Sequence, residues 1–367
     1  MKSLVETTRV IRRGAQSLPG LLGALALVPP EGEAERAAEE CASPSCQDGH
    51  DRYIGGQAIL EGVMMRGRHS WGLSVRQATG AIATHSYALD PPAQRYSVLK
   101  WPVIRGIGSL GESLYLGVQA LTISANLSLI GQEPEPGESK EEPQQLGWKE
   151  LTVTIVLAVG VALGLFLAVP LVVAKLFEHS LLQNPVLFTL AEGLVRVALF
   201  LAYLVIISRL PDLRRVFEYH GAEHKAIHSY EAGDGLDVKK ALRYTTLHPR
   251  CGTAFLLVVM IMSILIFSLA GRPSLPLLIL SRLVGIPLVI GLSYEVIKYA
   301  GRHKDGAVSR ILLWPGLLLQ RLTTREPSED QVEVALAALG EVLRVEAGGE
   351  PNPFGISPAP APAVGID

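Results

Sequence analysis

One short stretch of the sequence, residues 219–231 (YHGAEHKAIHSYE), concentrates side chains that bind metals and transfer protons. It places three histidines at four-residue intervals, with two glutamates among them. The five side chains are His220, Glu223, His224, His228 and Glu231. At about 100° per residue, they fall within roughly 140° of one helical face. The spacing therefore predicts a helical face able to hold a metal ion.

Within this stretch, His220, Glu223 and His224 match the pattern H-x-x-E-H, an inverted zinc-hydrolase motif. In that motif two histidines one turn apart bind zinc, and the glutamate activates a water molecule. We therefore expect His220 and His224 to bind zinc and Glu223 to be the catalytic base. A catalytic zinc site uses three protein ligands. The candidates for the third are His228, Glu231, His248 and Cys251.

A simpler interpretation of the pattern is a solvated polar face whose histidines only form hydrogen bonds. The segment HPRCG, with His248 and Cys251, comes just before an apolar segment, so we expect it at a membrane depth similar to that of the histidines. Gly221 disfavours a helix by about 1 kcal/mol relative to Ala. It predicts an irregular first turn around His220.

The elements that must position these residues belong to a membrane protein. The chain has 367 residues, of which 19% are charged, and a mean hydropathy of +0.31. Ordinary soluble domains contain about 25% charged residues. The net charge of −2 gives no basic field for nucleic acid. We expect the lipid bilayer as a partner, together with other membrane proteins, and no nucleic acid.

Four apolar segments are long enough to cross a bilayer core, which requires about 20 helical residues. They cover residues 151–177, 186–210, 254–271 and 275–300. The last two are joined by a tight turn and are expected to form a helical hairpin. Lys and Arg are absent from residues 178–185 but frequent in residues 209–250 and in the tail after the fourth span. This asymmetry predicts that both termini and the histidine stretch are cytoplasmic.

Smaller elements are predicted outside the spans. Apolar and polar residues alternate over residues 53–90, which predicts three or four antiparallel strands with a hairpin turn at 78–81. Helical spacing predicts amphipathic helices over 103–129 and 308–322 and a soluble helix over 329–346. The apolar stripe of that soluble helix consists of Val332, Val334, Ala335, Leu339 and Val342.

The predicted fold class is an α-helical integral membrane protein with four transmembrane helices, a small N-terminal antiparallel β region and amphipathic helices. Along the chain, we expect a disordered extension (1–52), a cytoplasmic β region with an amphipathic helix (53–130), an acidic linker (131–149), spans one and two (150–210), a cytoplasmic histidine-rich loop (211–253), a hairpin of spans three and four (254–300), cytoplasmic helices (301–347) and a disordered Pro/Ala tail (348–367).

Charged residues elsewhere raise further expectations. Glu192 and Arg196 lie four residues apart inside the second span, a spacing that predicts an ion pair across one turn. Glu295 is expected either to face the histidines as a ligand or proton carrier, or to extend to the membrane surface. Arg66 is expected either in a packing turn or at a bound anionic group.

Several longer motifs resemble the YqhQ-like family of bacterial membrane proteins. They are IGGQAILEGVMMRG, LKWPVIRGIGSLGESLYLGVQALTISAN, YHGAEHKAIHSYE, HPRCGTAFLL, SYEVIKYAGRH and PGLLLQRLTTREPSEDQVEVALAAL. The similar region covers about residues 53–345. This resemblance implies a four-span protein of the bacterial inner membrane with a cytoplasmic N-terminal domain. It also implies a metal-dependent enzyme.

Three functions are compatible with the sequence. The first is a membrane-embedded zinc hydrolase acting on a membrane-associated peptide or lipid. The second is a non-enzymatic factor for membrane-protein assembly, insertion or scaffolding, with a structural metal or none. The third, a small transporter using Glu192 and Arg196 with the histidines, is disfavoured because four spans without an internal repeat are unusual for a transporter.

Overall fold

The computed structural model describes residues 54–91, 96–128, 130, 148–176, 184–269, 275–302 and 306–353. It is mostly helical, with four long apolar helices and an N-terminal four-stranded antiparallel sheet, which confirms the predicted fold class. The predicted extension, the turn between spans three and four, most of the acidic linker and most of the Pro/Ala tail lie outside the described residues, as do Cys41 and Cys46.

The sheet is a meander in the order β1-β2-β3-β4. Its strands are β1 (Gly55–Ile59), β2 (Gly62–Arg66), β3 (Ser70–Arg76) and β4 (Ile82–Ala88). Gly80, at φ +86°, makes the tight turn between β3 and β4, because a left-handed backbone costs glycine no Cβ clash. The predicted strands and hairpin turn are confirmed.

Ten α-helices follow in the described part of the chain. They are α1 (Ile104–Ser128), α2 (Trp148–Leu163), α3 (Val169–Leu176), α4 (Pro185–Ile207), α5 (Pro211–Glu231), α6 (Val238–Ala241), α7 (Gly252–Leu269), α8 (Leu275–Arg302), α9 (Ala307–Thr323) and α10 (Glu329–Glu346). The three helices predicted outside the spans are present as α1, α9 and α10.

Both faces of the sheet are covered by helices. One face packs on α5 and α10 around a core that includes Val63, Met65 and Tyr219. The predicted apolar stripe of α10 is fully buried in this core. The other face, with Trp71 and Leu73, packs on α1. The sheet therefore lies between two helical layers, and α5, the helix with the histidines, belongs to one of them.

The four candidate membrane spans are Thr152–Leu176, Val186–Ile207, Gly252–Leu269 and Leu280–Ala300, which suggests a multi-pass membrane protein. The first combines α2 and α3 through a π-helical turn, Gly164–Ala168. Pro170 explains this turn, since it has no N–H to donate to the carbonyl of Phe166. That carbonyl instead accepts a hydrogen bond from Arg196 Nε at 2.9 Å.

The charged residues of the second span form the predicted ion pair. Arg196 donates to one carboxylate oxygen of Glu192 at 2.5 Å, and Arg282 of α8 lies 3.4 Å from the other. The guanidinium of Arg282 also stacks 3.8 Å from the ring centroid of Phe267. With the Phe166 contact, these interactions connect the first span, α4, α7 and α8, as expected of ionisable groups inside a membrane that pair with one another.

Glu295 pairs with a residue of α1 and not with the histidines, so the expectation of a ligand or proton carrier is wrong. Its carboxylate pairs with Arg105, whose Nε donates to it at 2.6 Å. Close packing brings the pair together, since a Cβ on Gly106 would lie 2.6 Å from Tyr294 Cβ. The Arg105–Glu295 ion pair connects α1 with the fourth span. Arg66, for which a bound anion was one expectation, instead forms an ion pair with Glu112 of α1.

Candidate metal centre

The histidine-rich helix α5 begins well before the histidines. Pro211 occupies its first turn with Asp212, where a missing N–H costs nothing and a negative charge is favourable. Gly221 is therefore in the middle of a continuous helix, and the expected irregular turn at His220 is wrong. The segment after α9 runs directly against this glycine, and Arg325 N–H donates to the Phe217 carbonyl at 2.9 Å.

Gly221 permits this close approach. A Cβ at this position would lie 2.1 Å from the carbonyl oxygen of Arg325, well inside any allowed contact. Glycine costs the helix about 1 kcal/mol, and in return the backbone of residues 323–325 reaches the histidine face. Gly221, which predicted an irregular turn, thus permits the close packing around the centre.

Two histidines of α5 are oriented by backbone carbonyls. His220 Nδ1 lies 2.8 Å from the Thr323 carbonyl oxygen, and His224 Nδ1 hydrogen-bonds to the Thr246 carbonyl. A carbonyl only accepts, so each Nδ1 carries a hydrogen, and the lone pair that could bind an ion is the one on Nε2. Such contacts are the usual outer partners of histidines that bind metals.

The lone pairs converge on Cys251, which lies just before α7. His220 Nε2 is 3.2 Å from Cys251 Sγ, and the rings of His220 and His224 have centroids 4.5 Å apart. One ligand atom from each of these three residues lies within 4.8 Å of the other two. Zinc bonds of about 2.0–2.3 Å at tetrahedral angles place ligand atoms roughly 3.3–3.8 Å apart, so the three side chains would draw slightly closer to bind one ion.

The imidazole Nε2 of His224 supports a metal at this point. It is buried and has no hydrogen-bond partner among the described residues, and the residue is only 1% exposed. A buried polar atom without a partner costs about 1–3 kcal/mol. A metal ion bound between His224, His220 and Cys251 would remove that cost, so the residues present fit the ion.

The electrostatics of the cluster favour the ligand form of the thiol. Burial acts to raise the pKa of Cys251, but the nearby rings of His224 and His220 bring it well below its usual range. Burial likewise acts to lower the pKa of His220, and the adjacent Cys251 outweighs it, raising that pKa to about 9. A metal ion would therefore displace a proton from His220 Nε2 when it binds. The thiolate is the form that binds a metal.

Glu223 is buried on the same helix, between the cluster and the sheet. Burial raises the pKa of its carboxyl group, while His224 and His220 oppose that rise. β1 contacts this side chain through a glycine: a Cβ on Gly56 would lie 2.7 Å from Glu223 Cγ. The carboxyl group is therefore enclosed beside the three ligand atoms, with a pKa moved towards neutrality.

The remaining predicted ligands form a separate group. One ligand atom each from His228, Glu231 and His248 also lies within 4.8 Å of the others. However, His248 Nδ1 accepts a hydrogen bond from Arg250 N–H at 3.3 Å, and the Arg250 guanidinium pairs with Glu231. Burial, with a further contribution from the neighbouring His248, lowers the pKa of His228 to about 3. This group, which has an arginine in contact, is less suited to a cation than the first.

A glutamine on α9 positions the segment that contains Cys251. Gln320 accepts a hydrogen bond from His248 N–H at 2.7 Å and donates to the His248 carbonyl at 2.8 Å. Lys225 holds the preceding segment through the carbonyls of Leu242 and Tyr244 and an ion pair with Glu326. Both side chains are almost fully buried.

Comparison with known proteins identifies the family. Residues 101–345 match the family described as "Protein of unknown function (DUF1385)". The chain belongs to this family. It is 33% identical over 303 residues to "Uncharacterized protein YqhQ" of Bacillus subtilis (strain 168), covering 81% of this chain and 94% of that protein. The sequence resemblance to the YqhQ-like family is thereby confirmed. No solved structure matches.

The DUF1385 match includes the complete candidate centre, from α5 to the residues after α9. Sequence reasoning missed the parts of the centre that act through the backbone or through packing. The carbonyls of Thr246 and Thr323 have no side-chain signature, and Gln320 occurs in an otherwise ordinary amphipathic helix. Gly56, in the conspicuous GGQ of β1, was the one signal available, because paired glycines in a strand often mark a close approach.

Proposed function

We propose that this protein is a metalloprotein of the bacterial cytoplasmic membrane whose centre consists of His220, His224 and Cys251. In this proposal the ion is zinc or a similar divalent metal, and Glu223 is the general base of a metal-dependent hydrolase. The observation that carries the proposal is the convergence of two carbonyl-oriented Nε2 atoms on one buried cysteine.

Two simpler interpretations explain less of this geometry. A merely hydrogen-bonded polar face leaves His224 Nε2 buried without a partner. A cysteine–histidine nucleophile would use the 3.2 Å contact between Cys251 and His220, but it also gives His224 Nε2 no role. A shared ion would bond directly to one atom each of His220, His224 and Cys251.

The residues divide the chemistry between them. Histidine and cysteine are ordinary zinc ligands, and a catalytic site with three protein ligands leaves a fourth position for another ligand. When bound, zinc supplies a Lewis acid that polarises a substrate oxygen and acidifies water. Glu223, with its raised pKa, is suited to accept a proton there and return it to the leaving group.

The surroundings of Cys251 are apolar, although the cavity they leave is only about 10 Å³, close to the size of one water molecule. A small apolar cavity borders this cysteine between α7, α8 and α9. Its other lining residues are Pro249, Ala254, Val258, Val296, Ile297, Ala300, Leu312 and Leu313. The distribution of Lys and Arg supports a cytoplasmic location for the centre and both termini. We therefore propose a membrane-associated peptide or lipid as the substrate.

A second candidate function is a non-enzymatic membrane factor with a structural metal. The observation that favours it concerns the first span, of which only 6% is buried, against 17–22% for the other three. Its apolar surface is available to other membrane helices, as in an assembly or scaffolding component. In this case the ion would have no open coordination position, and its binding would stabilise the folded state.

Cobalt(II) substitution distinguishes the two candidates. The full chain, purified in detergent and loaded with cobalt(II), is titrated with acetohydroxamate while the visible ligand-field bands are recorded. The hydrolase proposal predicts a saturable spectral change in the wild type and in Glu223→Gln, because one position is open. Unchanged bands would favour the structural metal. The variant His220→Ala/His224→Ala should show no ligand-field bands. If the wild type shows none either, both candidate functions are refuted.

A further inference from the structure

A second candidate site lies on the opposite face of the sheet from the histidines. There the packing of α1 on the sheet opens into a groove of about 520 Å³. It is lined by Trp71, Tyr87, Ala88, Leu89 and Asp90 from β3, β4 and the residues that follow, and by Gly111, Glu112, Tyr115, Leu116 and Gln119 from α1. None of these residues belongs to the candidate metal centre.

One wall of the groove is aromatic. Trp71 and Tyr87 are direct cross-strand neighbours, and their rings stack with centroids 4.6 Å apart. Tyr115 of α1 is 63% exposed, and its hydroxyl accepts a hydrogen bond from Gln119 Nε2 at 2.8 Å. An exposed tyrosine facing a stacked pair provides π-faces, which attract organic cations.

A buried carboxylate oxygen completes the site. Glu112 Oε2 pairs with Arg66 at 2.8 Å, but Glu112 Oε1 is buried and has no hydrogen-bond partner in the described part of the chain. Such an oxygen is costly unless a donor reaches it. Arg66 balances the charge of Glu112, and Asp90 leaves the lining with one net negative charge. A donor that carries a positive charge suits both this oxygen and the net charge of the lining.

We propose that this groove binds an organic ammonium group, with its N–H or N–CH₃ groups against the aromatic rings and its charge beside Glu112 and Asp90. Two sources carry this chemistry, the headgroup of an aminophospholipid and a soluble amine. The lipid is within reach, because Arg105 of the same helix pairs with the fourth span. Glu112 lies seven residues further on, about 10 Å along the helix axis.

The chain offers a variant that fills the groove without disturbing the packing. Gly111 lies in the groove lining, and a Cβ added there would meet nothing within 4 Å. Leucine at this position should occupy the groove and improve the helix propensity. Gly160, in the first span, also has open space around it and provides the matched control.

The test is calorimetric titration of the detergent-solubilised full chain with three probes: ethanolamine, a short-chain phosphatidylethanolamine, and phosphatidylglycerol of the same chain length. We expect an ammonium probe to bind and phosphatidylglycerol not to bind. Glu112→Gln and Gly111→Leu should each weaken ammonium binding by about tenfold or more, since both the charge and the aromatic contact contribute. Gly160→Leu should bind as the wild type.

The probes also identify the source. If phosphatidylethanolamine binds and ethanolamine does not, the site is supported and its ligand is a lipid headgroup. If ethanolamine binds with an affinity similar to that of phosphatidylethanolamine, the site is supported and its ligand is a soluble amine. The proposal is overturned if neither ammonium probe binds, if phosphatidylglycerol binds equally well, or if Gly111→Leu retains wild-type affinity.

Discussion

Backbone carbonyls decide which nitrogen of each histidine faces the candidate centre. Thr323 and Thr246 accept the Nδ1 hydrogens of His220 and His224, so both Nε2 lone pairs point towards Cys251. At the scale of the residue, the proposal therefore depends on three atoms, and each can be removed separately.

Cys251→Ser tests the sulfur ligand. A cobalt(II)–thiolate bond gives an intense near-ultraviolet charge-transfer band, and an alcohol oxygen gives none. We expect the wild type loaded with cobalt(II) to show this band and Cys251→Ser to lose it. The variant Cys41→Ser/Cys46→Ser, which keeps Cys251, is the control and should retain the band. A band that persists in Cys251→Ser would exclude this cysteine as a ligand.

Gly221→Ala tests the close approach of the segment after α9. Ala usually stabilises a helix interior by about 0.5–1 kcal/mol relative to Gly, but here its Cβ would collide with the Arg325 carbonyl. We expect a loss of about 1–3 kcal/mol in the free energy of unfolding, as for other overpacked sites, and weaker metal binding. Denaturation of the solubilised protein measures the first effect. Gly160→Ala, where a Cβ has open space, should be neutral or stabilising.

Residue types in the centre were predictable, but their grouping was not. The spacing of His220, Glu223 and His224 indicated a shared helical face, and the structure has them on one helix. Which candidate third ligand would approach the pair depended on tertiary packing. Gln320 and Lys225 fix the segments that bring Cys251 and Thr246 to the pair, and neither contact leaves a periodic signal.

At the scale of the element, α10 anchors the layer that supports the centre. It begins with a capping box at Ser328 and Gln331 and packs its apolar stripe against the sheet and α5. Periodicity predicted its bounds because capping and amphipathicity are local properties. The π-helical turn in the first span was not predicted, since it depends on a carbonyl freed by Pro170 and bound by Arg196 of another helix.

Leu339→Ala tests the contribution of α10. Leu339 is fully buried between the sheet and α5, so its truncation should lower the free energy of unfolding by about 2–5 kcal/mol. Leu60→Ala is the matched control, because Leu60 is 41% exposed and surface changes usually stay within about 0.5 kcal/mol. Chemical denaturation followed by circular dichroism measures both. Equal effects would show that α10 does not stabilise the sheet layer.

At the scale of the whole molecule, the described elements fit a multi-pass membrane protein. Four apolar spans leave the chain's many charged residues concentrated in the connections and termini. Fold class was predictable because apolar length and alternation are strong signals. Orientation rests on the Lys and Arg distribution and stays a prediction.

Cysteine labelling tests that orientation. Cys41 and Cys46 lie in the N-terminal segment, before the first span. A membrane-impermeant maleimide should label them in inverted vesicles and leave them unlabelled in intact spheroplasts, because the N-terminus is predicted to be cytoplasmic. The variant Cys41→Ser/Cys46→Ser/Ser180→Cys should give the opposite result. Labelling of Cys41 and Cys46 in intact spheroplasts would reverse the proposed topology.

The most direct test of the central claim is elemental analysis of the detergent-purified full chain, prepared without chelators. We expect about one divalent metal ion per chain in the wild type, and the same content in His69→Ala, whose histidine lies at an exposed position. His220→Ala/His224→Ala should lose the ion. A wild type without metal, or a double variant that retains the full content, would contradict the assignment of His220, His224 and Cys251 as a metal centre.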